Sequence, residues 1–175
     1  AYISAQDGDR TTLTVGYSVP VASGVHGQVV SFCDGSDVTV SLFADGSAEP
    51  KYTVSVPGGT KDSSGQYTTT YDIPEVAPGT YTMQVSKKNH VTREYTVTVS
   101  GDAVTQDAKI HLMGDINGDG RISIGDINQA NLHAKGKKIL LGYELACADI
   151  NGDGRVTISD INKLNLHNKG KSLLW

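Results

Sequence analysis

DINGDGRISIGDINQANLH at Asp115–His133 returns as DINGDGRVTISDINKLNLH at Asp149–His167, 34 residues later. Counted from the first aspartate, oxygen-bearing side chains fall at positions 1, 3, 5, 9 and 12, and glycine at 6. Six carboxylates are thereby gathered into two short stretches: Asp115, Asp119 and Asp126, then Asp149, Asp153 and Asp160. Carboxylates so concentrated repel one another unless a cation sits among them.

The order is that of a twelve-residue calcium loop. Calcium is a hard cation that takes six to eight oxygens at about 2.3–2.6 Å. In the first copy Asp115, Asn117 and Asp119 converge as the chain curls, and Gly120 permits the turn that follows. Arg121 offers only its carbonyl, Ser123 a hydroxyl, and Asp126 closes the set from the first turn of a helix. The second copy repeats this with Asp149, Asn151, Asp153, Gly154, Arg155, Thr157 and Asp160. The usual twelfth ligand is glutamate; aspartate is one methylene shorter and would suit magnesium in size, but the donor set still favours calcium. Two structural ions are expected, because the apolar content around the loops is modest and such loops depend on metal for their fold. Ile122 and Val156, at position 8, are expected to pair as a small strand-like bridge.

Outward from the loops, each is followed by helical spacing: Ile127, Ala130 and Ala134, then Ile161, Leu164 and Asn168. Each run ends in Lys-Gly, at Lys135–Gly136 and Lys169–Gly170, a helix stop. A further short helix is expected around Gly142–Ala148. The preceding half follows a period of two instead. Leu13, Val15, Tyr17 and Val19 alternate with polar residues, as do Val38, Val40 and Leu42; Tyr52, Val54 and Val56; Tyr81, Met83 and Val85; and Tyr95, Val97 and Val99. Turn signals at 33–37, 44–50, 57–59, 63–65, 77–80 and 87–90 separate seven or eight strands, the pattern of a sandwich. The spacing therefore predicts two domains. Residues 1–104 form an all-β Ig-like sandwich, and residues 105–175 a small α-helical unit with two EF-hand-like calcium loops. Residues 102–108 read as a short connector that leaves the halves in touch.

Composition limits the function. A net charge of −4 argues against nucleic acid, and no apolar run has the length of a membrane span. No signal peptide is visible. Cys33 and Cys147 lie one in each half; a bridge between them is conceivable, and two buried free thiols are expected. Tyr2, Tyr17, Tyr52, Tyr67, Tyr71, Tyr81 and Tyr95 could form a sugar platform, but most share the phase of the core. His26 and His90, beside turns, read as exposed and non-catalytic. No histidine, acid and nucleophile form a local set, so no catalytic residue is assigned and an enzyme is not expected.

The paired DxNxDG loops, with aspartate at position 12 and helices ending in Lys-Gly, resemble the dockerin domain of cellulosome-type assemblies, over residues 111–175. The HLMG before Asp115 is too short for the incoming helix of an ordinary EF-hand, as in that family. The resemblance implies docking on a cohesin domain of a scaffoldin or cell-surface anchoring protein, hence a secreted, extracellular or cell-surface setting. It implies partner contacts at loop positions 10 and 11 and along the next helix: Ile124, Gly125, Asn131, Leu132 and His133, and Ile158, Ser159, Asn165, Leu166 and His167. Leu132 and Leu166 could instead belong to a core between helices. Isoleucine at position 10 differs from the serine or threonine often found there and implies an apolar contact. The near identity of the copies makes two binding orientations plausible. Dockerins often clasp their termini, here His111–Met113 against Leu173–Trp175. VAPGTYTMQVSKKNHVTREYTVTV, at 76–99, resembles the prealbumin-like or Cna-B-like modules (X-modules) that precede dockerins as stiffening spacers. The main alternative is a carbohydrate-binding module fused to a dockerin, which requires an exposed aromatic strip on the first half.

Overall fold

The computed structural model describes Ser4–Ala5, Thr11–Thr12 and residues 23–175. The expected strand through Leu13–Val19, and Tyr2, lie outside the described residues. β1 (Ser4–Ala5) pairs antiparallel with β2 (Thr11–Thr12). The alternating stretches then form β3 (Ser23–Ser31), β4 (Val38–Ala44), β5 (Tyr52–Val56), β6 (Thr60–Lys61), β7 (Tyr67–Val76), β8 (Gly79–Lys87) and β9 (Arg93–Val99). One sheet runs β5-β4-β8-β9, antiparallel throughout. In the other, β6, β7 and β3 are antiparallel neighbours.

The period of two decides what lies between the sheets. Val38, Val40 and Leu42 of β4, Tyr81, Met83 and Val85 of β8, and Val25 and Val29 of β3 are buried in a shared core. Tyr71 and Tyr81 belong to that core, and Tyr52, Tyr67 and Tyr95 are half-buried. Tyr71 donates its hydroxyl hydrogen to Gln106 O at 2.7 Å, a polar tip satisfied as burial of a tyrosine demands.

Residues 102–108 are not the connector that was expected. β10 (Val104–Thr105) and β11 (Ala108–Lys109) pair parallel with β3, and Ala108 and Ile110 enter the sandwich core. The sandwich thus holds the chain to Ile110, beyond the expected limit at 104. Strand residues this short carry too little alternation to be read from sequence.

The second unit contains α1 (Ile124–Ala134), α2 (Gly142–Ala148) and α3 (Ile158–Asn168) around its own core of Ile116, Ile127, Ala130, Leu140, Cys147, Ala148, Val156, Ile161 and Leu164. Ser123 and Thr157 cap α1 and α3, and Gly136 and Gly170 follow their ends at φ 65° and 63°. Residues 111–114 form no helix, so the first loop stands without an incoming one, whereas α2 ends at Ala148, directly before the second. Ile122 and Val156 form no bridge: Val156 is buried and Ile122 packs on the same core, so side-chain packing replaces the expected backbone pairing.

The two units meet through a bonded junction. Val91 N donates to His111 O and Met113 N to Asn89 O, each at 3.0 Å, flanking a bridge between His90 and Leu112. The Tyr143 hydroxyl accepts from His111 N and donates to Val91 O, with the Arg93 guanidinium 4.6 Å over its ring. His90 is buried, not exposed as expected. Its Nε2 accepts the Phe32 N–H at 3.1 Å, a bond available only to the neutral ring in that tautomer.

Protons should therefore loosen this junction. Burial lowers the pKa of His90; burial, with Lys109, Arg93 and His90 nearby, pushes His111 down to about 4. The unfolded chain binds these protons near pH 6.5; in the folded chain both bind at lower pH, His111 at about 4. Their contribution is thus fully present above pH 6.5 and is lost as pH falls toward about 4. Denaturant midpoints of the sandwich on either side of that window should show it falling in acid. A His90→Gln, His111→Phe chain should show a flatter profile.

Candidate metal centres and docking face

The two loops repeat one hydrogen-bond pattern. Asp115 Oδ1 accepts from Gly118 N and Asp119 N, and Oδ2 from Gly120 N, at 2.8–3.1 Å. Asp149 does the same with Gly152, Asp153 and Gly154 at 2.7–3.2 Å. Asp126 Oδ1 accepts from Ile116 N and Asn117 N, while Oδ2 takes Ser123 N and Oγ. Asp160 repeats this with Ile150, Asn151 and Thr157. Asn117 and Asn151 each donate from Nδ2 to the aspartate two residues on, at 2.9 and 2.8 Å. Position 12 also serves the helix that follows, since Asp126 and Asp160 are N3 of a capping box and reach back to the N-cap N–H. The signal, S-x-x-D and T-x-x-D, stands in the sequence.

Among the described residues no three His, Cys, Asp or Glu side chains converge as a ready cluster. Their oxygens are turned onto backbone N–H groups. Even so, the residues fit a hard cation. Asp115, Asp126 and Asp160 are fully buried, and the hydrogen bonds that reach them come from backbone N–H groups and the capping hydroxyls. Buried carboxylates are otherwise paired with a cation or bound to metal. Burial pushes Asp115 up to about 6; Gly120 and Gly118 N–H oppose this, and the charges of Asp126 and Asp119 reinforce it. The donor set is all oxygen; Asp115 and Asp149 each accept three N–H bonds and keep a lone pair, whereas Asp126 and Asp160 accept a fourth bond from the capping hydroxyl, which a cation would have to displace.

The residues expected to touch a partner divide into two groups. Ile124 and Ile158 are 61% and 67% exposed, and Leu132 and Leu166 are 40% and 41%, so the leucines are not core between helices. Ser159 is exposed and Gly125 half-buried. Asn131 and Asn165 instead donate to Ile127 O and Ile161 O, one turn back. The histidines bond inward: His133 Nδ1 accepts Leu140 N, and His167 Nδ1 accepts Leu174 N. Matched hollows of about 390 and 410 Å³ lie along the helices, one lined by Asn128, Asn131, Leu132 and Lys135, the other by Asn162, Asn165, Leu166 and Lys169.

Those histidine bonds reveal that the repeat extends past His133 and His167. Residues 139–141, Ile-Leu-Leu, correspond to 173–175, Leu-Leu-Trp, at the same offset of 34. In each hook the middle leucine turns inward, Leu140 buried and Leu174 half-buried, while Ile139, Leu141, Leu173 and Trp175 are exposed. Leu174 instead packs beside Gly114, outside the 111–113 stretch of the expected clasp: a Cβ on Gly114 would meet its Cδ1 at 2.9 Å. Trp175 packs on His167, ring centroids 5.1 Å apart. The cysteines are both free, but only Cys147 is buried; Cys33 is exposed on a turn at φ 71°.

Residues 113–167 match the family model described as the dockerin type I domain. No curated protein matches. Two similar solved structures are type II cohesin–X-dockerin complexes from Acetivibrio cellulolyticus, one an N-terminal and the other a C-terminal interface mutant. Each is 20% identical, with 83% of this chain and 94% of that chain covered, at a TM-score of 0.37. At that score the likeness carries no weight for the arrangement of the units.

Proposed function

We propose that the β-sandwich and the helical unit behind it, which carries the dockerin match at residues 113–167, form a calcium-dependent docking module that binds a cohesin domain. Each loop takes one structural calcium ion. Asp115, Asn117, Asp119, the Arg121 carbonyl, Ser123 and Asp126 hold the first; Asp149, Asn151, Asp153, the Arg155 carbonyl, Thr157 and Asp160 hold the second. The ion supplies positive charge among the carboxylates and closes each loop onto its helix. The chain's own residues then present the docking face. Docking would attach the parent protein to a scaffoldin or cell-surface complex outside the cell. The sandwich, an X-module-like spacer, does no chemistry of its own.

One observation carries this reading. Among the described residues, every exposed large apolar side chain lies in 124–175, and each has its counterpart 34 residues away: Ile124 with Ile158, Leu132 with Leu166, Ile139 with Leu173, Leu141 with Trp175. Duplicated exposed apolar groups on a polar unit mark a protein interface. The sandwich tyrosines at 52, 67, 71, 81 and 95 are buried or half-buried, which argues against the alternative of a glycan-binding module.

Calorimetry against a panel of cohesins, in calcium and again in excess chelator, tests the proposal. Tight binding abolished by chelation is expected, and the stoichiometry reports whether one or both faces are used. Failure to bind any cohesin with the C-terminal unit folded in calcium would reject docking for that panel. A positive glycan array on the same sample would then favour the alternative.

A further inference from the structure

We propose that the sandwich is the lid of the first metal loop, so that two loops of nearly identical sequence hold their ions unequally. The proposal rests on the calcium reading above. Around the first loop, space is filled from outside. A Cβ on Gly120 would lie 2.5 Å from Phe32 Cδ1, and one on Gly118 would lie 2.4 Å from His111 Cε1. At the equivalent Gly154 and Gly152 nothing comes within 4 Å. The first ligand differs accordingly: Asp115 is fully buried, while Asp149 is half-exposed.

Phe32 is held in place over the loop by the sandwich. Its N–H donates to buried His90, and its carbonyl accepts from Lys87 Nζ at 3.3 Å. That ammonium, itself buried, also donates to Ser31 Oγ and Asp34 O, so one lysine pins the whole turn. The ring packs edge-on to His111 and lies 5.5 Å from Lys109 Nζ. It belongs to neither hydrophobic core, so its packing serves the junction.

An ion leaves such a loop only when the loop opens. The second loop opens into water. The first must displace a pinned phenyl ring and His111. Release from the first site should be slow and coupled to the junction, and release from the second fast and independent. By reciprocity, the ion in the first loop strengthens the contact between units.

Stopped-flow release from the calcium-loaded full chain into a fluorescent chelator reads both sites at once. Two phases of equal amplitude are expected, one ion each. Asp153→Ala should remove the fast phase and Asp119→Ala the slow one. Phe32→Ala should speed the slow phase about tenfold, equivalent to about 1.4 kcal/mol, and leave the fast phase unchanged. Phe32→Leu should largely restore the slow phase.

A second pair of variants needs no deletion at Phe32. Gly120 and Gly154 share their left-handed backbone, φ 87° and 82°, so alanine strains both alike. Only Gly120→Ala meets a ring. It should weaken the slow site beyond the effect of Gly154→Ala on the fast one, and Phe32→Ala should relieve that difference. Two ions leaving at one rate, or Phe32→Ala moving both phases equally, would overturn the lid alone. Release of no calcium at all would overturn the metal reading and the lid with it.

Discussion

Asp126→Ala, or Asp160→Ala, is expected to melt the C-terminal unit while the sandwich stays folded. Each carboxylate is fully buried and accepts three backbone N–H groups and one hydroxyl. Alanine strands those donors, at about 1–3 kcal/mol for each buried group left unpaired. It also removes the N3 half of a capping box and, on the calcium reading, a metal ligand. A total of about 3–5 kcal/mol is a large part of the roughly 5–15 kcal/mol that holds a whole domain. The two units have separate cores, so calorimetry in calcium should resolve two transitions and only one should fall. Chelation of the unaltered chain should lower the same transition. If the variants melt with the unaltered chain, position 12 is neither ligand nor cap.

The second large effect concerns docking, not stability. Ile124 and Ile158 open their helices at matching positions and are among the most exposed apolar groups of the described chain. Aspartate at either should change stability within about 0.5 kcal/mol, as substitutions at exposed sites do. Against a cohesin that binds in calcium, the double variant Ile124→Asp, Ile158→Asp should lose about 2–4 kcal/mol, roughly 30- to 1,000-fold in affinity. The single variants distinguish the orientations. If either copy can face the partner, each single change costs little and the double change much. If one copy always faces it, one single change accounts for nearly the whole loss.

Much of the C-terminal unit was legible because its determinants are local. Capping boxes, Lys-Gly stops and the 142–148 helix depend on residues a few positions apart, and the helices stand where the periodicity places them. The surroundings of the residues proposed to dock were half legible. Exposure of Ile124 and Leu132 follows from the repeat, whereas the inward bonds of His133 and His167 depend on hooks whose repetition is evident only once Leu140 and Leu174 are seen to be equivalent. The junction was not legible. Phe32 and Gly120 are 88 residues apart, and nothing local to either marks their contact. His90 illustrates the same limit: a histidine beside a turn reads as exposed, until a distant backbone N–H needs an acceptor. Short parallel strands such as β10 and β11 fail for a related reason, since their pairing partner lies about 80 residues back along the chain.

The turn that carries Phe32 has a practical consequence. Cys33, the next residue, is solvent-exposed, while Cys147 is enclosed in the helical core and its thiol is pushed up to about 12. A maleimide dye added to the native, unmutated chain should therefore attach at a single position. It would sit beside the contact between the units. Its anisotropy would follow the junction in real time as calcium, acid or a partner is added, a spectroscopic reporter supplied by the natural sequence.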